Sequence, residues 1–314
     1  YIGSHTATEL LLHDYDVVIA DDLSNSNEFI IDRIAQLAGK KPRVYKIDLC
    51  DFAATEKMFQ QEKKIDVVVH FAAFKAVGES IEQPLKYFRN NIVSLLNVVE
   101  CMNITGSKNL VFSSSATVYG DPDTLPVKEE FPFKKALSAY GSTKQMGEEI
   151  LEKIAATGSL NVIALRYFNP VGAHPSALLG ELPQGRPNNL LPFVSQTAIG
   201  KLPLLTLFGN DYNTKDGTCL RDYVHVVDLA LAHIKACDRL IDNKTATAYE
   251  VFNIGTGNGI SVKELVDNFE DVNEVKVNYV FGPRRAGDTA VLYADATKAN
   301  DLLQWKAEKD VKDM

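Results

Sequence analysis

Short apolar runs that alternate with helical patterns restrict the fold of this chain more than any other feature. The apolar runs lie at residues 16–20, 43–47, 65–70, 111–113 and 162–166, and helical periodicity marks residues 6–12, 29–37, 53–62, 84–102 and 137–156. This alternation predicts parallel βαβ units in a doubly wound sheet with helices on both faces. We therefore predict an α/β fold with a Rossmann-type parallel sheet.

The pattern changes after about residue 170. Glycine and proline become frequent at residues 171–192, and the later elements are shorter and mixed, at residues 204–208, 226–240, 249–254, 262–269 and 275–281. A chain of 314 residues is long enough for two domains. We expect a Rossmann-type domain at residues 1–170 and a smaller mixed lobe at residues 171–314, with some segments interleaved.

The composition excludes several classes of protein. A net charge of −8 argues against nucleic acid or an acidic membrane as the main partner. Neither paired spacing nor nearby histidines accompany the cysteines, which predicts reduced thiols in a cytoplasmic protein and no metal site. These cysteines are Cys50, Cys101, Cys219 and Cys237. We find no apolar run of membrane-spanning length and no signal peptide.

The chain opens with Tyr1, Ile2 and Gly3, directly before a helical pattern. Gly3 is interpreted as the third glycine of a phosphate-binding Gly-x-x-Gly-x-x-Gly turn. On this interpretation the chain is a fragment that lacks its first, central strand, and it is expected to fold poorly or to bind NAD poorly. An ordinary start inside a helix is the alternative.

Acidic residues follow the first apolar run, at Asp21 and Asp22. An acid about 20 positions after such a glycine turn binds a ribose hydroxyl in NAD sites. A carboxylate at Asp21 would also repel a 2′-phosphate, which favours NAD over NADP. A loop acid or a helix cap is the alternative.

Other residues fit a dinucleotide site less specifically. Asp48 follows the run at residues 43–47 and is a candidate adenine contact. Ala72 and Ala73 are small enough for a flat cofactor to approach the backbone, although tight helix packing would also explain them. Asn90 and Asn91 interrupt an amphipathic helix and are either exposed or directed into the site.

A candidate catalytic group combines a strand end with a helix start. Tyr140 and Lys144 are four residues apart and share one helix face. A neighbouring ammonium favours the phenolate and lowers a phenol pKa that is normally near ~10. The serines Ser113–Ser115 end a probable strand, where open α/β sheets bind ligands. Either motif alone is common by chance or as a turn, but together they predict catalysis.

Three arginines stand out in the acidic second half: Arg221, Arg284 and Arg285. Arginine is suited to bidentate phosphate binding. Each alone could equally form a surface ion pair, but they favour an anionic substrate in the smaller lobe.

The motifs taken together resemble those of the UDP-glucose 4-epimerase (UDP-galactose 4-epimerase) family, in the extended short-chain dehydrogenase/reductase superfamily. The resemblance runs essentially end to end. It rests on Tyr1-Ile-Gly-Ser-His-Thr, Lys75-Ala-Val-Gly-Glu-Ser, Ser113-Ser-Ser-Ala-Thr-Val-Tyr-Gly, Tyr140-Gly-Ser-Thr-Lys, Arg166-Tyr-Phe-Asn-Pro-Val-Gly-Ala-His, Pro187-Asn-Asn-Leu, Phe208-Gly-Asn-Asp-Tyr and Arg221-Asp-Tyr-Val-His-Val-Val-Asp-Leu.

The resemblance implies that the chain interconverts UDP-glucose and UDP-galactose in galactose metabolism. In such a mechanism Tyr140, as phenolate, takes the proton of the sugar 4-hydroxyl while the C4 hydride passes to tightly held NAD. The 4-keto sugar then turns over, and the hydride returns to its other face. Lys144 would lower the Tyr140 pKa and hold the nicotinamide ribose, and Ser115 would bond the reacting oxygen. A homodimer through residues 84–102 and 137–156 is also implied.

The resemblance also implies the residues of both binding sites. The NAD site would comprise Tyr1, Ile2, Gly3, Asp21, Asp22, Leu23, Ser24, Asn25, Ser26, Asp48, Leu49, Phe71, Ala72, Ala73, Phe74, Lys75, Asn90, Ser115, Tyr140, Lys144 and Phe168. The UDP-sugar site would comprise Lys75, Ser115, Tyr140, Asn169, Asn188, Asn189, Leu190, Phe208, Arg221, Arg285, Asp288 and Leu292.

Departures from the family pattern leave the sugar range open. Asp22 stands where Asn is common, and Ala73 where many relatives have Gly. Leu292 lies at a gate of the sugar pocket that is bulky in some relatives and small in others, so N-acetylated UDP-sugars remain possible substrates. The chain also ends soon after Leu303-Gln-Trp.

Two other functions compete with epimerisation. A nucleotide-sugar 4,6-dehydratase would share the fold, NAD and the Tyr-x-x-x-Lys pair, but it needs an acid pair where this chain has Ala116 and Thr117. A non-catalytic nucleotide-binding relative is the second alternative. The joint presence of Ser115, Tyr140 and Lys144 argues against it.

Overall fold

A computed structural model describes residues 1–285 and 288–314. In chain order the helices are α1 (Ile2–Leu12), α2 (Phe29–Ala38), α3 (Phe52–Glu62), α4 (Val77–Glu82), α5 (Pro84–Thr105), α6 (Ala139–Ala155), α7 (Leu190–Ala198), α8 (Val226–Ile241) and α9 (Val262–Asn273). The strands are β1 (Val18–Asp21), β2 (Arg43–Lys46), β3 (Val68–His70), β4 (Asn109–Ser115), β5 (Asn161–Tyr167), β6 (Asn169–Val171), β7 (Leu205–Phe208), β8 (Leu220–Arg221), β9 (Tyr223–His225), β10 (Tyr249–Ile254), β11 (Ile260–Ser261), β12 (Tyr279–Gly282) and β13 (Val291–Leu292). A 3-10 turn (Ala116–Tyr119) and a short π-helix (Ala299–Leu303) complete the elements.

The main sheet is parallel and has the strand order β10-β5-β4-β3. Strands β1 and β2 form a second parallel pair. Both parts pack on one core cluster, because Ala20 of β1 lies against the same buried residues as Val68 of β3. The predicted α/β fold with a Rossmann-type sheet is confirmed.

The parallel strands are thus divided into two sheets in the described part of the chain. There, β1 pairs only with β2, and β3 only with β4. One further parallel strand between β1 and β3 would make the sheet continuous in the usual doubly wound order. The expectation that the chain lacks a central strand stays a prediction.

Apolar side chains point to alternate faces along the main strands, which explains why helices cover both faces of the sheet. Val111 and Ile163 point to the face covered by α8, while Leu110 and Phe112 point to the face covered by α3, α5 and α6. Successive side chains of a strand point to opposite faces, so both sets become buried. This packing fixes β4 and α6 against each other.

The second half of the chain partly returns to the first. Helix α8 packs on the main sheet, and β10 pairs with β5 from Tyr249↔Val162 to Ile254↔Tyr167. Smaller sheets, β11-β8-β13, β12-β7 and β6-β9, contain most of the remaining strands. The division at residue 170 therefore separates segments that interleave in space, and its assignment to two lobes stays a prediction.

Most element boundaries differ from the predicted ones by one to three residues. The strand predicted at residues 65–70 is shorter, Val68–His70, because only that part lies alongside β4. The run at residues 275–281 forms a strand only over Tyr279–Gly282, where β7 provides a partner. All four cysteines are free thiols.

Two absences hold for the described residues, 1–285 and 288–314. No helix there has both the length and the apolar composition that a membrane span requires. Those residues also contain no cluster of three or more side chains arranged to bind a metal ion.

Candidate active site

The predicted catalytic strand ends at Ser115, the last residue of β4. Seven register pairs bind β4 to β5, the last of them Ser115↔Tyr167. The Ser115 hydroxyl accepts a hydrogen bond of 3.3 Å from the Thr117 backbone and so caps the following 3-10 turn. The backbone on both sides of Ser115 is therefore fixed.

Helix α6 brings the other two predicted catalytic residues to this strand end. Its N-cap, Ser138, accepts a hydrogen bond of 3.1 Å from the Gly141 amide, which starts the helix just before Tyr140. One turn later, the Lys144 ammonium donates to the Ser113 carbonyl at 2.6 Å and lies 5.8 Å from the centre of the Tyr140 ring. Tyr140 in turn interacts with Ser115. The three residues are thus adjacent.

Burial controls the charges of this group. It lowers the pKa of Lys144 to about 8, although the nearby Glu148 carboxylate acts in the opposite direction. Burial raises the pKa of Tyr140, and the interaction with Ser115 only partly offsets it. In the protein by itself desolvation outweighs every lowering influence on the Tyr140 pKa, and the Lys144 ammonium is bonded to Ser113, so the lowering by Lys144 stays a prediction.

A buried asparagine ties the loop after β3 to α6. The Asn91 side chain accepts from the Phe74 amide at 2.8 Å and donates to the Phe74 carbonyl at 3.1 Å and to the Thr143 hydroxyl at 3.0 Å. Its neighbour Asn90, the predicted cofactor contact, is half-buried and donates to Asn91 at 3.0 Å. Of the two asparagines, Asn91 therefore has a positioning role.

The start of helix α1 lies beside the same loop. A Cβ atom at Gly3 would lie 3.4 Å from the Phe71 ring, and that ring packs 4.8 Å from the ring of His233. Ile2 packs on the core under the main sheet, and the Tyr1 hydroxyl donates to the Gly172 carbonyl at 2.8 Å. A helix N-terminus carries a partial positive charge and favours phosphate.

The loop after β1 is exposed and hydrogen-bonded to itself. Asp21 accepts from the Leu23 amide at 2.7 Å, and Asp22 from the Ser24 amide at 2.9 Å. The Ser26 carbonyl accepts from Gln184 at 3.0 Å, which connects this loop to the second half of the chain. Exposed Asn25 completes it.

The loop after β2 is similar. Asp48 accepts from the Cys50 amide at 2.8 Å, and the Leu49 carbonyl accepts from Asn97 at 2.9 Å. These local bonds present the carboxylates of both loops at the edge of the sheet where the strands end.

The predicted substrate residues on β6, β8 and β13 form one group. Leu292 is opposite Arg221 in the parallel pair of β13 and β8, and the Asn169 amide donates to the Asp222 carbonyl at 2.9 Å. Phe168, a predicted cofactor residue, packs in the same cluster as Leu292. The structure therefore brings predicted cofactor and substrate residues into contact here.

Asp222 joins these strands and was missed by sequence reasoning. Its buried carboxylate accepts from the amides of Thr256, Gly257 and Ala294 at 2.7–3.1 Å and from the Thr256 hydroxyl at 2.7 Å. Burial nevertheless raises its pKa. The residue follows Arg221 directly, but only the fold reveals its four donors.

Two of the three arginines face other predicted residues. Arg221 contacts Asp288 at 3.4 Å, and the Arg285 guanidinium lies 5.9 Å from the centre of the half-exposed Phe208 ring. Arg284 instead pairs with Asp211 at 2.8 Å. Arg221 and Arg285 therefore remain the better candidates for phosphate binding.

The last predicted group begins α7. Asn188 and Asn189 are exposed, Asn189 is the N-cap residue, and Leu190 is the first residue of the helix. Asn189 donates at 2.6 Å to Glu181, whose carboxylate also binds Lys75 at 3.0 Å. Glu181 was missed because its partner Lys75 is 106 residues away in sequence.

These residues fit a bound dinucleotide. The start of α1 and the small Ala72 and Ala73 leave backbone accessible beside Phe71. Beside Ser115, the Thr117 hydroxyl is buried and has no hydrogen-bond partner among the described residues. A buried polar atom of this kind requires an explanation, and a ligand atom would supply its partner.

Comparisons with known proteins agree with this geometry. The family described as GDP-mannose 4,6 dehydratase matches residues 1–314. A UDP-glucose 4-epimerase of Bacillus subtilis is 49% identical over 315 residues, which cover 100% of this chain and 91% of that protein. Because the identity extends over the whole chain, the similarity includes the site.

Solved structures lead to the same conclusion. The UDP-glucose 4-epimerase of Stenotrophomonas maltophila, with bound NAD and formylated UDP-arabinopyranose, has a TM-score of 0.96 at 46% identity and covers 100% of this chain and 92% of its own. The enzyme of Bifidobacterium longum, in complex with NAD+ and UDP, has a TM-score of 0.95 at 44% identity with the same coverage. The chain therefore belongs to the UDP-glucose 4-epimerase family of the extended short-chain dehydrogenase/reductase superfamily.

Proposed function

We propose that this protein interconverts UDP-glucose and UDP-galactose by oxidation and re-reduction at C4 of the sugar, with NAD as its resident cofactor. The observation that carries the proposal is the contact of Ser115, Tyr140 and Lys144 at the carboxyl end of β4. The relatives and solved structures described above support it, since they bear the same enzyme name.

Tyr140 is the proton acceptor and donor. As phenolate it takes the proton of the sugar 4-hydroxyl, and as the resulting phenol it later returns that proton, while Ser115 hydrogen-bonds the same sugar oxygen. Because burial raises the Tyr140 pKa, the phenolate needs a positive charge close to the bound substrate. NAD, when bound, would supply the hydride acceptor, and its positively charged ring would add to the charge of Lys144.

Lys144 positions the cofactor. Its ammonium is buried and already bonded to the Ser113 carbonyl, so its remaining donors can hold ribose hydroxyls. The carboxylate of Asp21 would hold the adenosine ribose, and the two carboxylates of Asp21 and Asp22 would disfavour a 2′-phosphate. NAD rather than NADP is therefore the proposed cofactor.

The UDP-sugar is held through its nucleotide. Arg221 and Arg285 would bind the diphosphate, and Asn169, Asn188, Asn189, Leu190, Phe208 and Asp288 would surround the nucleotide and sugar. The sugar must be held weakly because it has to turn between the two hydride transfers. Residues 171–314 supply most of this site and residues 1–170 most of the NAD site.

A wider sugar range is the second candidate function. Leu292 is of intermediate size and packs in one cluster with Phe168. N-acetylated UDP-sugars are therefore alternative substrates. Dehydration is disfavoured, since Ala116 is buried and carries no acid and Thr117 carries only a hydroxyl.

The setting of the enzyme is also proposed. Interconversion of these sugars places it in galactose metabolism, and four free thiols fit the cytoplasm. Leu85 and Ile104 of α5 and Met146 of α6 are exposed and apolar. Their exposure supports a homodimer through these two helices.

The test is conversion of UDP-galactose deuterated at C4, without added NAD. We expect UDP-glucose that keeps the deuterium at C4, because the hydride leaves and returns within one protein molecule. Exchange of the label with solvent, or no conversion by protein that binds UDP-galactose, would contradict the proposal. A parallel reaction with UDP-N-acetylgalactosamine decides the sugar range.

A further inference from the structure

Glu181 connects two residues, Lys75 and Asn189, that the family resemblance assigns to ligand binding. Its carboxylate accepts from the Lys75 ammonium at 3.0 Å and from the Asn189 side chain at 2.6 Å. The Glu181 side chain is only 12% exposed, whereas that of Lys75 is 49% exposed. A shielded carboxylate therefore fixes a flexible, half-exposed cation.

Glu181 belongs to a stretch, residues 172–189, that we call the bridging segment. The segment is bonded to the cofactor side at three further points, through Tyr1 to Gly172 at 2.8 Å, Arg33 to Leu178 at 2.7 Å and Gln184 to Ser26 at 3.0 Å. In sequence these residues start the predicted substrate lobe. In space they lie along the cofactor side.

The bridging segment is also anchored by packing. Leu179 is 1% exposed and lies in one cluster with Ala7, Leu11 and Ile34 of helices α1 and α2. The other end of the segment leads directly into α7, where Asn189 is the N-cap residue. The segment thus joins the start of the substrate side to the two helices that flank the predicted cofactor site.

The carboxylate has two conceivable effects on an anionic ligand. As a negative charge it would repel phosphate and weaken binding. As a fixed acceptor it would hold Lys75 in one conformation, and an immobilised side chain loses less entropy when the ligand arrives. One oxygen of Glu181 accepts hydrogen bonds from both Lys75 and Asn189, and the carboxylate is shielded from solvent. We therefore expect the gain from holding these two side chains to outweigh the repulsion between the carboxylate and the phosphates of a ligand.

We propose that Glu181 is a positioning residue that directs Lys75 and Asn189 toward the junction of the cofactor and the UDP-sugar, and that it keeps the bridging segment closed against the cofactor side. This inference rests on the proposed function and deepens it. Glu181 lies outside both predicted binding sites, and on this inference it couples them.

The test compares Glu181→Gln with Glu149→Gln, an exposed residue of α6 that undergoes the same change of charge. We expect Glu181→Gln to raise both the KM for UDP-galactose and the rate of NAD release about fivefold, because one side chain must then be ordered when the ligand binds. The kcat should stay within about twofold. The control should change neither. A KM that stays constant or falls would overturn the proposal, since repulsion would then be the main effect.

A double-mutant cycle with Lys75→Met separates positioning from a general structural role. We expect the two changes to be non-additive, so that Glu181→Gln in the Lys75→Met protein raises KM by less than about twofold. Full additivity would overturn the inference. If the unaltered protein neither converts UDP-galactose nor binds UDP, the proposed function fails and this inference falls with it. A failure seen in the variants alone concerns only Glu181.

Discussion

The catalytic strand–helix pair and the loops predicted to bind the nucleotides are built differently. In the pair, β4 and α6 are buried, and successive residues of one are bonded to successive turns of the other, Ser113 to Lys144 and Ser114 to Glu148. In the loops, Asp21 and Asp22 are exposed and bond to their own turns. The chemical groups are therefore positioned by the core, while the binding groups are positioned by local turns.

The burial that positions β4 and α6 also shifts the pKa values of their side chains. A buried ion pair lies under α6, where Arg166 contacts Glu148 at 2.7 Å and the Tyr249 hydroxyl donates to Glu148 at 2.9 Å. Desolvation by burial lowers the pKa of Lys144 to about 8, although the charge of Glu148 acts in the opposite direction. In the exposed loops, solvent screens such effects, so substitutions there should change binding and little else.

The largest effect is expected at Lys144. Lys144→Met removes the ammonium proposed to hold the nicotinamide ribose, and kcat should fall about a thousandfold while the protein stays folded. Steady-state kinetics with circular dichroism check both parts. A variant that keeps more than about a tenth of kcat would break the distinction between the two regions, because a core group would then act no more strongly than a loop group.

The same substitution predicts a pH dependence of stability. The Lys144 pKa of about 8 in the folded protein lies below its ordinary value of 10.5. Between these values the unfolded state binds more protons, so this lysine makes the free energy of unfolding rise with pH in that range. Denaturation at pH 7 and pH 10 should show this rise in the unaltered protein relative to Lys144→Met. An equal pH response in both would contradict the burial of Lys144.

The second effect concerns stability alone. Glu148→Gln leaves the buried Arg166 without its carboxylate, and loss of one partner of a buried pair costs about 3–5 kcal/mol. Urea denaturation should show this loss. Glu149→Gln, one position along the helix and exposed, should stay within about 0.5 kcal/mol. A loss in Glu148→Gln that is as small as the one expected for Glu149→Gln would show that this network is dispensable.

A substitution in the binding region should change binding with little effect on stability. Arg221→Leu removes a candidate phosphate ligand, and we expect KM to rise about 10- to 100-fold with kcat within about threefold. Arg284→Leu is the matched control, since Arg284 pairs with exposed Asp211, and its KM should change less than about twofold. A large fall of kcat in Arg221→Leu would show that the binding region also contributes to the chemical step.

The smallest effect is expected in the loop after β1. Asp22→Asn should change stability by less than about 0.5 kcal/mol and NAD affinity by less than about threefold, because the side chain is exposed. Calorimetric titration with NAD measures the second quantity. A tenfold or larger change would show that this carboxylate binds the cofactor as strongly as a buried group.

Local patterns were sufficient for much of the fold. The strand at residues 249–254 was predicted with its observed bounds, and Tyr140 and Lys144 were placed on one helix face by spacing alone. Periodicity and capping are properties of neighbouring residues, so they can be read from the chain. The position of β10 beside β5 could not be, because it depends on residues more than 80 positions apart.

The electrostatics of the site could not be read in the same way. Burial raises the Tyr140 pKa, and burial is a property of the whole fold. The partners of Glu181 and the four donors on Asp222 come from distant segments. Sequence therefore predicted which candidate residues lie together better than it predicted the charges and hydrogen bonds that surround them.

The central claim is that the buried pair of β4 and α6 carries the chemistry, whereas the residues predicted to bind the nucleotides contribute only to binding. The most direct measurement is kcat for conversion of UDP-galactose by Tyr140→Phe, together with UDP binding by the same protein. We predict that kcat falls about a thousandfold while the Kd for UDP stays within about threefold. A Tyr140→Phe protein that keeps more than about a tenth of kcat, or loses UDP binding in parallel with kcat, would contradict the account.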